Sequence, residues 1–74
     1  MKLSDLKNNT VVTINNILLD NKDLLKRLEE IGVYPGRKIR FIKRSILSKC
    51  VLIESMGSVF ILDKIISRSI DCHE

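Results

Sequence analysis

The stretch EEIGVYPGRKI, residues 29–39, separates a charged segment of helical spacing from a run of basic residues. Gly32 stands where the left-handed cap at the end of a helix belongs, because glycine has no Cβ to clash at positive φ. Pro35 prevents the helix from resuming. A phosphate-binding loop would place its glycines before a helix N-terminus, where free N–H groups attract anions. The stretch therefore predicts a structural turn that ends a helix and begins a strand.

The segment before this turn predicts one inserted α-helix at about residues 21–31. Asp20 opens it, and Asp23 three residues later is a weak relative of the capping box. Both carboxylates lie where the helix dipole favours negative charge. The apolar positions recur at helical spacing and form one face: Leu24, Leu25, Leu28 and Ile31.

The rest of the chain is rich in β-branched residues and reads as short strands between turns. Strands are predicted at 10–17, 37–44, 50–55, 59–62 and 69–72, with a short helical turn near 63–66. In the first two strands, alternation places Val12, Ile14, Ile39 and Phe41 inward. These elements predict a mainly β fold, a small closed barrel of about five strands, in a single domain of residues 1–74.

Composition narrows the class of protein. No apolar run approaches the roughly 20 residues needed to cross a bilayer, and the N-terminus lacks the apolar run of a signal peptide. Cys50 and Cys72 are too few for a disulfide framework of the secreted kind. We therefore expect a cytoplasmic protein with reduced cysteines and no membrane insertion.

The net charge of +4 is concentrated in one segment. No acidic residue lies between Glu30 and Glu54, and the basic residues there are Arg37, Lys38, Arg40, Lys43, Arg44 and Lys49. One interpretation is a solvated edge strand protected by its charges. The other is a surface for nucleic acid, anionic lipid or an acidic protein.

Several segments together resemble the FeoA domain family, ferrous iron transport protein A, whose fold is an SH3-like barrel. RLEEIGVYPGRKI resembles the family signature RLxELGLxPGxxI. The matching segments cover nearly the whole chain and are Leu3–Leu6, Arg27–Ile39, Gly57–Leu62 and Ile65–Ile70. The chain departs from the family pattern at Asn8-Asn9, where a glycine is usual, at Cys50, near the place of a common proline, and at Asp63, where arginine is common.

The resemblance implies a small cytoplasmic accessory protein of ferrous iron transport. Its partner would be the membrane ferrous iron transporter, bound through the cytosolic GTP-binding domain, and the protein would be a monomer or a weak homo-oligomer. On this reading, residues on the exposed side of the helix and the turn form a docking patch with a basic rim. The predicted patch residues are Leu25, Val33 and Tyr34, and the predicted rim residues are Arg37, Lys38 and Arg40.

The sequence gives little support for a catalytic site or a metal site. His73 is the only histidine, and no nucleophile and base can be assembled around it. Cys72 and His73 are the candidate metal ligands, but adjacent strand residues point to opposite faces. We therefore expect no enzyme activity, no resident cofactor and at most weak transition-metal binding.

The alternative function is a nucleic-acid-binding SH3-like module that uses the basic stretch 37–49. Only Phe41 and Tyr34 are aromatic residues near enough to stack on bases, and Phe41 alternates into the core. We therefore expect no nucleic-acid partner.

Overall fold

The computed structural model describes residues 1–74 and contains five strands, two α-helices and an N-terminal 3-10 turn. In chain order these are the 3-10 turn Leu3–Asp5, β1 Thr10–Ile17, α1 Lys22–Glu30, β2 Lys38–Arg44, β3 Val51–Ser55, β4 Ser58–Leu62, α2 Lys64–Ser69 and β5 Ile70–His73. The mainly β architecture with one helix inserted after the first strand is confirmed.

All five strands belong to one antiparallel sheet, in the order β4-β3-β2-β1-β5. Strands β1 to β4 are successive neighbours, and β5 returns to pair with the free side of β1. The ladders contain two irregularities, one between Ile14 and Asn16 and one between Phe41 and Lys43. No ladder joins β4 to β5, and α2 connects these two edge strands.

The core lies on one face of this sheet and is built mainly from aliphatic side chains. Val12 and Ile14 on β1 and Ile39 and Phe41 on β2 are all buried, which confirms the predicted alternation. The remaining core residues are Leu3, Leu6, Leu28, Val33, Val51, Ile53, Leu62, Ile70 and Cys72. Leu3 in the N-terminal turn and Leu6 directly after it thus both reach the core.

Helix α1 begins one residue later than predicted. Asn21 is its N-cap, and the Oδ1 atom of Asn21 accepts a hydrogen bond of 3.1 Å from the Leu24 amide. Asparagine competes well with aspartate at this position, so Asp20 is left in the preceding loop.

Helix α1 ends in a Schellman motif centred on Gly32, whose φ is +85°. The Gly32 amide donates to the Glu29 carbonyl at 3.0 Å, and the Val33 amide donates to the Leu28 carbonyl at 2.8 Å. These bonds satisfy two of the carbonyls that the last helical turn leaves free. The predicted helix stop is therefore confirmed.

Helix α2 is longer than the single turn predicted near 63–66 and runs from Lys64 to Ser69. Asp63 is its N-cap and accepts a hydrogen bond of 2.8 Å from the Ile66 amide. The aspartate that departs from the family pattern thus gains a local role, because it satisfies a free amide of the first turn.

Asp71 on β5 is held ionised by its neighbours. Its carboxylate accepts hydrogen bonds of 3.3 Å from the Asn15 side-chain amide and from the ammonium group of Met1. The Asn15 hydrogen bond, followed by that of the ammonium group, lowers the pKa of Asp71 below its ordinary value of 3.8.

A pH dependence of stability follows from Asp71. Because the folded pKa is the lower one, the stabilisation is present above the ordinary pKa and is lost as the pH falls through the folded value. We expect the difference in unfolding free energy between wild type and Asp71→Asn to shrink as the pH is lowered from about 7 to about 2. Urea denaturation of both proteins across this pH range measures the difference in unfolding free energy. A difference that does not change with pH would contradict the prediction.

Candidate docking groove beside the Tyr34–Pro35 corner

A groove of about 290 Å³ lies between α1, the end of β1 and the loop that follows α1. Its lining is mostly apolar and comprises Asn16, Ile17, Leu25, Glu29, Val33, Tyr34 and Pro35. All three predicted patch residues, Leu25, Val33 and Tyr34, therefore line this one groove. We call this feature the docking groove.

The corner beside the groove is a β-turn fixed to the sheet. The Arg37 amide donates to the Tyr34 carbonyl at 3.2 Å, and Gly36 between them has φ +91°. Proline followed by a residue of positive φ is typical of a type II turn. The Gly36 amide also donates to the Ile14 carbonyl at 2.8 Å. These bonds hold the tyrosine backbone in place.

Tyr34 and Arg37 form one partly exposed unit beside the groove. The tyrosine is 36% exposed, and the guanidinium carbon of Arg37 lies 5.6 Å from the centre of its ring. That distance is within the range of a cation–π interaction. Lys38 begins β2 directly after Arg37 and is exposed. The predicted aromatic anchor and two of the rim cations are thus adjacent.

The prediction that Val33 is exposed is wrong. Its side chain is fully buried and belongs to the hydrophobic core, so it supports the groove from beneath. Leu25 is half-buried, as expected of a residue at the border between core and surface.

Arg40 does not provide a free cation at the rim. Its Nε atom donates to Oε1 of Glu54 at 3.1 Å, and the two residues are register partners on β2 and β3. The pair lies on the outer face of the sheet, and opposite charges at such positions attract each other. The rim therefore contains Arg37 and Lys38 without Arg40.

Sequence reasoning missed four of the seven lining residues, namely Asn16, Ile17, Glu29 and Pro35. Glu29 lies four residues after Leu25, a spacing that places both on the same helix face. That signal was available in the sequence. Ile17 reaches the groove from the end of β1, and nothing in its local sequence indicates this position.

The candidate metal ligands lie on opposite faces of β5. The Cys72 side chain is fully buried, and burial raises the pKa of its thiol. His73 is exposed, and its Nδ1 atom hydrogen-bonds the Asn15 side chain. No three His, Cys, Asp or Glu side chains lie together as a metal site requires. This donor set does not fit a resident transition-metal ion, and weak binding stays a prediction.

The basic stretch 37–49 does not form one uninterrupted face. Arg37 lies over Tyr34, Arg40 pairs with Glu54, and Arg44 donates from Nη1 to the Ser4 carbonyl. Phe41 is fully buried. The absence of a nucleic-acid partner stays a prediction.

Comparison with known proteins identifies the family. The FeoA domain profile matches residues 1–73. The fold is similar to the solution structure of the FeoA protein from Chlorobium tepidum, with a TM-score of 0.86 and 20% identity over 99% of this chain and 69% of that chain. It is also similar to Stenotrophomonas maltophilia FeoA complexed with zinc, described as a prokaryotic SH3 domain protein, with a TM-score of 0.77 and 21% identity over 99% of this chain and 89% of that chain.

A third similar structure is a repressor. ScaR with bound Cd²⁺ has a TM-score of 0.85 and 27% identity over 100% of this chain and 35% of that chain, so this chain spans about a third of ScaR. No curated protein sequence matches this chain. No helix is both long and apolar enough to cross a membrane. Since the family profile covers nearly every residue, the chain belongs to the FeoA domain family and has its SH3-like fold.

Proposed function

We propose that this protein is a cytoplasmic accessory protein of ferrous iron transport, and that its docking groove binds the cytosolic GTP-binding domain of the membrane ferrous iron transporter. Family membership over residues 1–73 supports the first part. The second part rests on one observation: a partly exposed tyrosine, held on a rigid turn, stands beside a mostly apolar groove.

The composition of the groove suits a protein partner. Binding energy at interfaces concentrates in a few large anchors, with Tyr, Trp and Arg enriched among them, within a water-excluding surround. Tyr34 and Arg37 are such residues, and Leu25 and Pro35 add apolar contact area. A volume of about 290 Å³ is at the lower limit of small-molecule pockets and fits an inserted side chain.

The charges around the groove indicate which side chains the partner would present. Arg37 and Lys38 lie on the side of the β2 strand, and Glu29 lies on the helix side. A complementary partner therefore places an apolar side chain in the groove and a carboxylate next to the two cations. Rim charges of this kind chiefly affect association rate and its salt dependence.

The binding test compares the wild type with Tyr34→Ala and Lys38→Glu in co-purification and calorimetry with the transporter's cytosolic domain. We expect Tyr34→Ala to weaken binding by about thirtyfold or more, since truncating a central aromatic anchor costs about 2 kcal/mol or more. Lys38→Glu should slow association most at low salt, because exposed charges are screened as ionic strength rises.

Matched controls separate the groove from general surface effects. Tyr34→Phe keeps the ring and should bind nearly as the wild type does. Lys64→Glu makes the same charge change in the first turn of α2, away from the groove. Unchanged affinity in Tyr34→Ala, or equal losses in Lys38→Glu and Lys64→Glu, would overturn the proposed surface.

A further inference from the structure

A second concave site lies away from the docking groove and shares no residue with it. It is a cleft of about 250 Å³ between the N-terminal 3-10 turn, the end of β2, the β2–β3 loop and α2. None of its lining residues is hydrophobic, and they are Ser4, Asp5, Arg44, Lys49, Ser67 and Arg68. We call it the basic cleft.

The cations of the basic cleft are not neutralised within the protein. Arg44, Lys49 and Arg68 face a single carboxylate, that of Asp5, which leaves a surplus of two positive charges. The ion pairs of the structure lie elsewhere, between the Met1 ammonium and Asp71 and between Arg40 and Glu54. Like charges that converge in this way repel each other unless an anion enters between them.

The fold fixes the Arg44 guanidinium and the backbone that carries Lys49. The Arg44 guanidinium donates from Nη1 to the Ser4 carbonyl, which directs its other N–H groups. Lys49 adopts a positive φ of +63°, and its amide donates to the Ser45 carbonyl at 3.0 Å. Since Ser45 in turn donates to the Cys50 carbonyl at 2.8 Å, the loop that carries Lys49 is closed by backbone bonds at its base.

Two large apolar side chains stand on the same loop, two and three residues before Lys49. Ile46 is 85% exposed and Leu47 is 96% exposed, so both side chains lie almost entirely in solvent. Ile65 is also exposed and lies one helical turn before Arg68 on α2. Exposed apolar groups beside a cluster of cations are typical of proteins that bind the membrane interface.

We propose that this end of the molecule binds the surface of a membrane that contains anionic phospholipid. The phosphate of a lipid headgroup occupies the basic cleft, and Ile46 and Leu47 enter the boundary between headgroups and acyl chains. Guanidinium groups match phosphate oxygens in geometry, and the surplus of positive charge matches the negative charge of an anionic headgroup. Binding here needs no helix that spans the membrane.

A nucleic acid fits these observations less well. Ile46 and Leu47 offer no flat ring on which a base can stack, and aromatic side chains are absent from the lining of the cleft. Aliphatic side chains instead gain free energy when they leave water for the acyl boundary.

The test is co-sedimentation of the full chain with vesicles of phosphatidylcholine alone and of phosphatidylcholine with phosphatidylglycerol. We expect binding to the anionic vesicles only, and weaker binding as salt is raised. Arg68→Gln should weaken vesicle binding about fivefold, because that is the usual contribution of one Lys or Arg near an anionic surface. Leu47→Ser should weaken it by about tenfold or more through lost apolar burial.

Matched controls are available on other faces. Lys26→Gln removes one charge from α1, and Ile61→Ser removes an exposed aliphatic side chain from β4. Both should bind as the wild type does. The proposal is overturned if neutral and anionic vesicles bind equally, if the controls lose as much binding as the test variants, or if inorganic phosphate alters the cleft amide resonances while vesicles do not sediment the protein.

Discussion

Replacing Leu28 with alanine lowers the free energy of unfolding by about 2–5 kcal/mol, the usual cost of truncating a buried leucine. Leu28 is 3% exposed and is the buried residue of α1, whose other apolar residues are only partly covered. Its carbonyl also accepts the amides of Ile31 and Val33 at the end of the helix. Alanine keeps this carbonyl, so the cost comes from the cavity that the lost side chain leaves between α1 and the core.

This loss is large for so small a domain. At typical values per residue, 74 residues give a total stability of about 4–11 kcal/mol. Urea denaturation of Leu28→Ala beside Leu47→Ala measures the effect, because Leu47 is the same residue type fully in solvent. The Leu47 variant should stay within about 0.5 kcal/mol of the wild type. A Leu28→Ala cost below about 1 kcal/mol would contradict the role assigned to Leu28.

The elements of the fold were readable from the sequence because each carries a local signal. Gly32 and Pro35 mark the end of α1, and the alternation of Ile39 and Phe41 marks the buried face of β2. The turn Met56–Gly57 joins β3 to β4 with positive φ at both residues, as two-residue hairpins of type I′ require. Asn9 likewise takes a φ of +59° in the turn where the family usually has glycine.

Two predictions about the candidate site were wrong, and a local rule would have corrected only the one for Val33. Val33 follows the capping glycine, and the residue at that position of a Schellman motif commonly makes an apolar contact with the last turns of its helix. Both Val33 and Leu28 are in the core cluster, so this local rule would have placed Val33 inward. No local rule predicts the position of Arg40. Its pairing with Glu54 depends on the register between β2 and β3, and an irregularity between Phe41 and Lys43 shifts that register.

The basic cleft shows the limit of sequence reasoning more plainly. Its six residues come from three well-separated parts of the chain, near residues 4–5, 44–49 and 67–68. One interpretation of the cations at 37–49 was a single basic surface. In the fold, Arg37 lies over Tyr34, Arg40 pairs with Glu54, and Arg44 and Lys49 line the cleft. Arg68 has no counterpart in that run, and only the packing of α2 beside the N-terminal turn brings it to Arg44 and Lys49.

Gly32→Ala lowers the free energy of unfolding by about 2–5 kcal/mol, from left-handed backbone strain and overpacking together. An added Cβ would lie 2.6 Å from Oγ of Ser55 and 2.9 Å from Cγ and Sδ of Met56. The Met56 side chain is exposed and can move. Ser55 is buried, and its hydroxyl donates to the Ile31 carbonyl at 2.7 Å, so moving the Ser55 side chain breaks this part-buried hydrogen bond.

Gly36→Ala is the matched control, since Gly36 has nearly the same φ, +91°, and no atom lies within 4 Å of its added Cβ. It should cost only the strain of a left-handed alanine, about 1–2 kcal/mol. The loss of unfolding free energy in Gly32→Ala beyond that in Gly36→Ala is expected to come from the contact with Ser55. A double-mutant cycle with Ser55→Ala tests this, because removal of the hydroxyl should reduce the cost of Gly32→Ala. Equal costs at Gly32 and Gly36 would mean that backbone geometry alone requires the first glycine. A larger cost at Gly32, relieved by Ser55→Ala, shows that the helix stop is also where α1 closes against the β3–β4 hairpin.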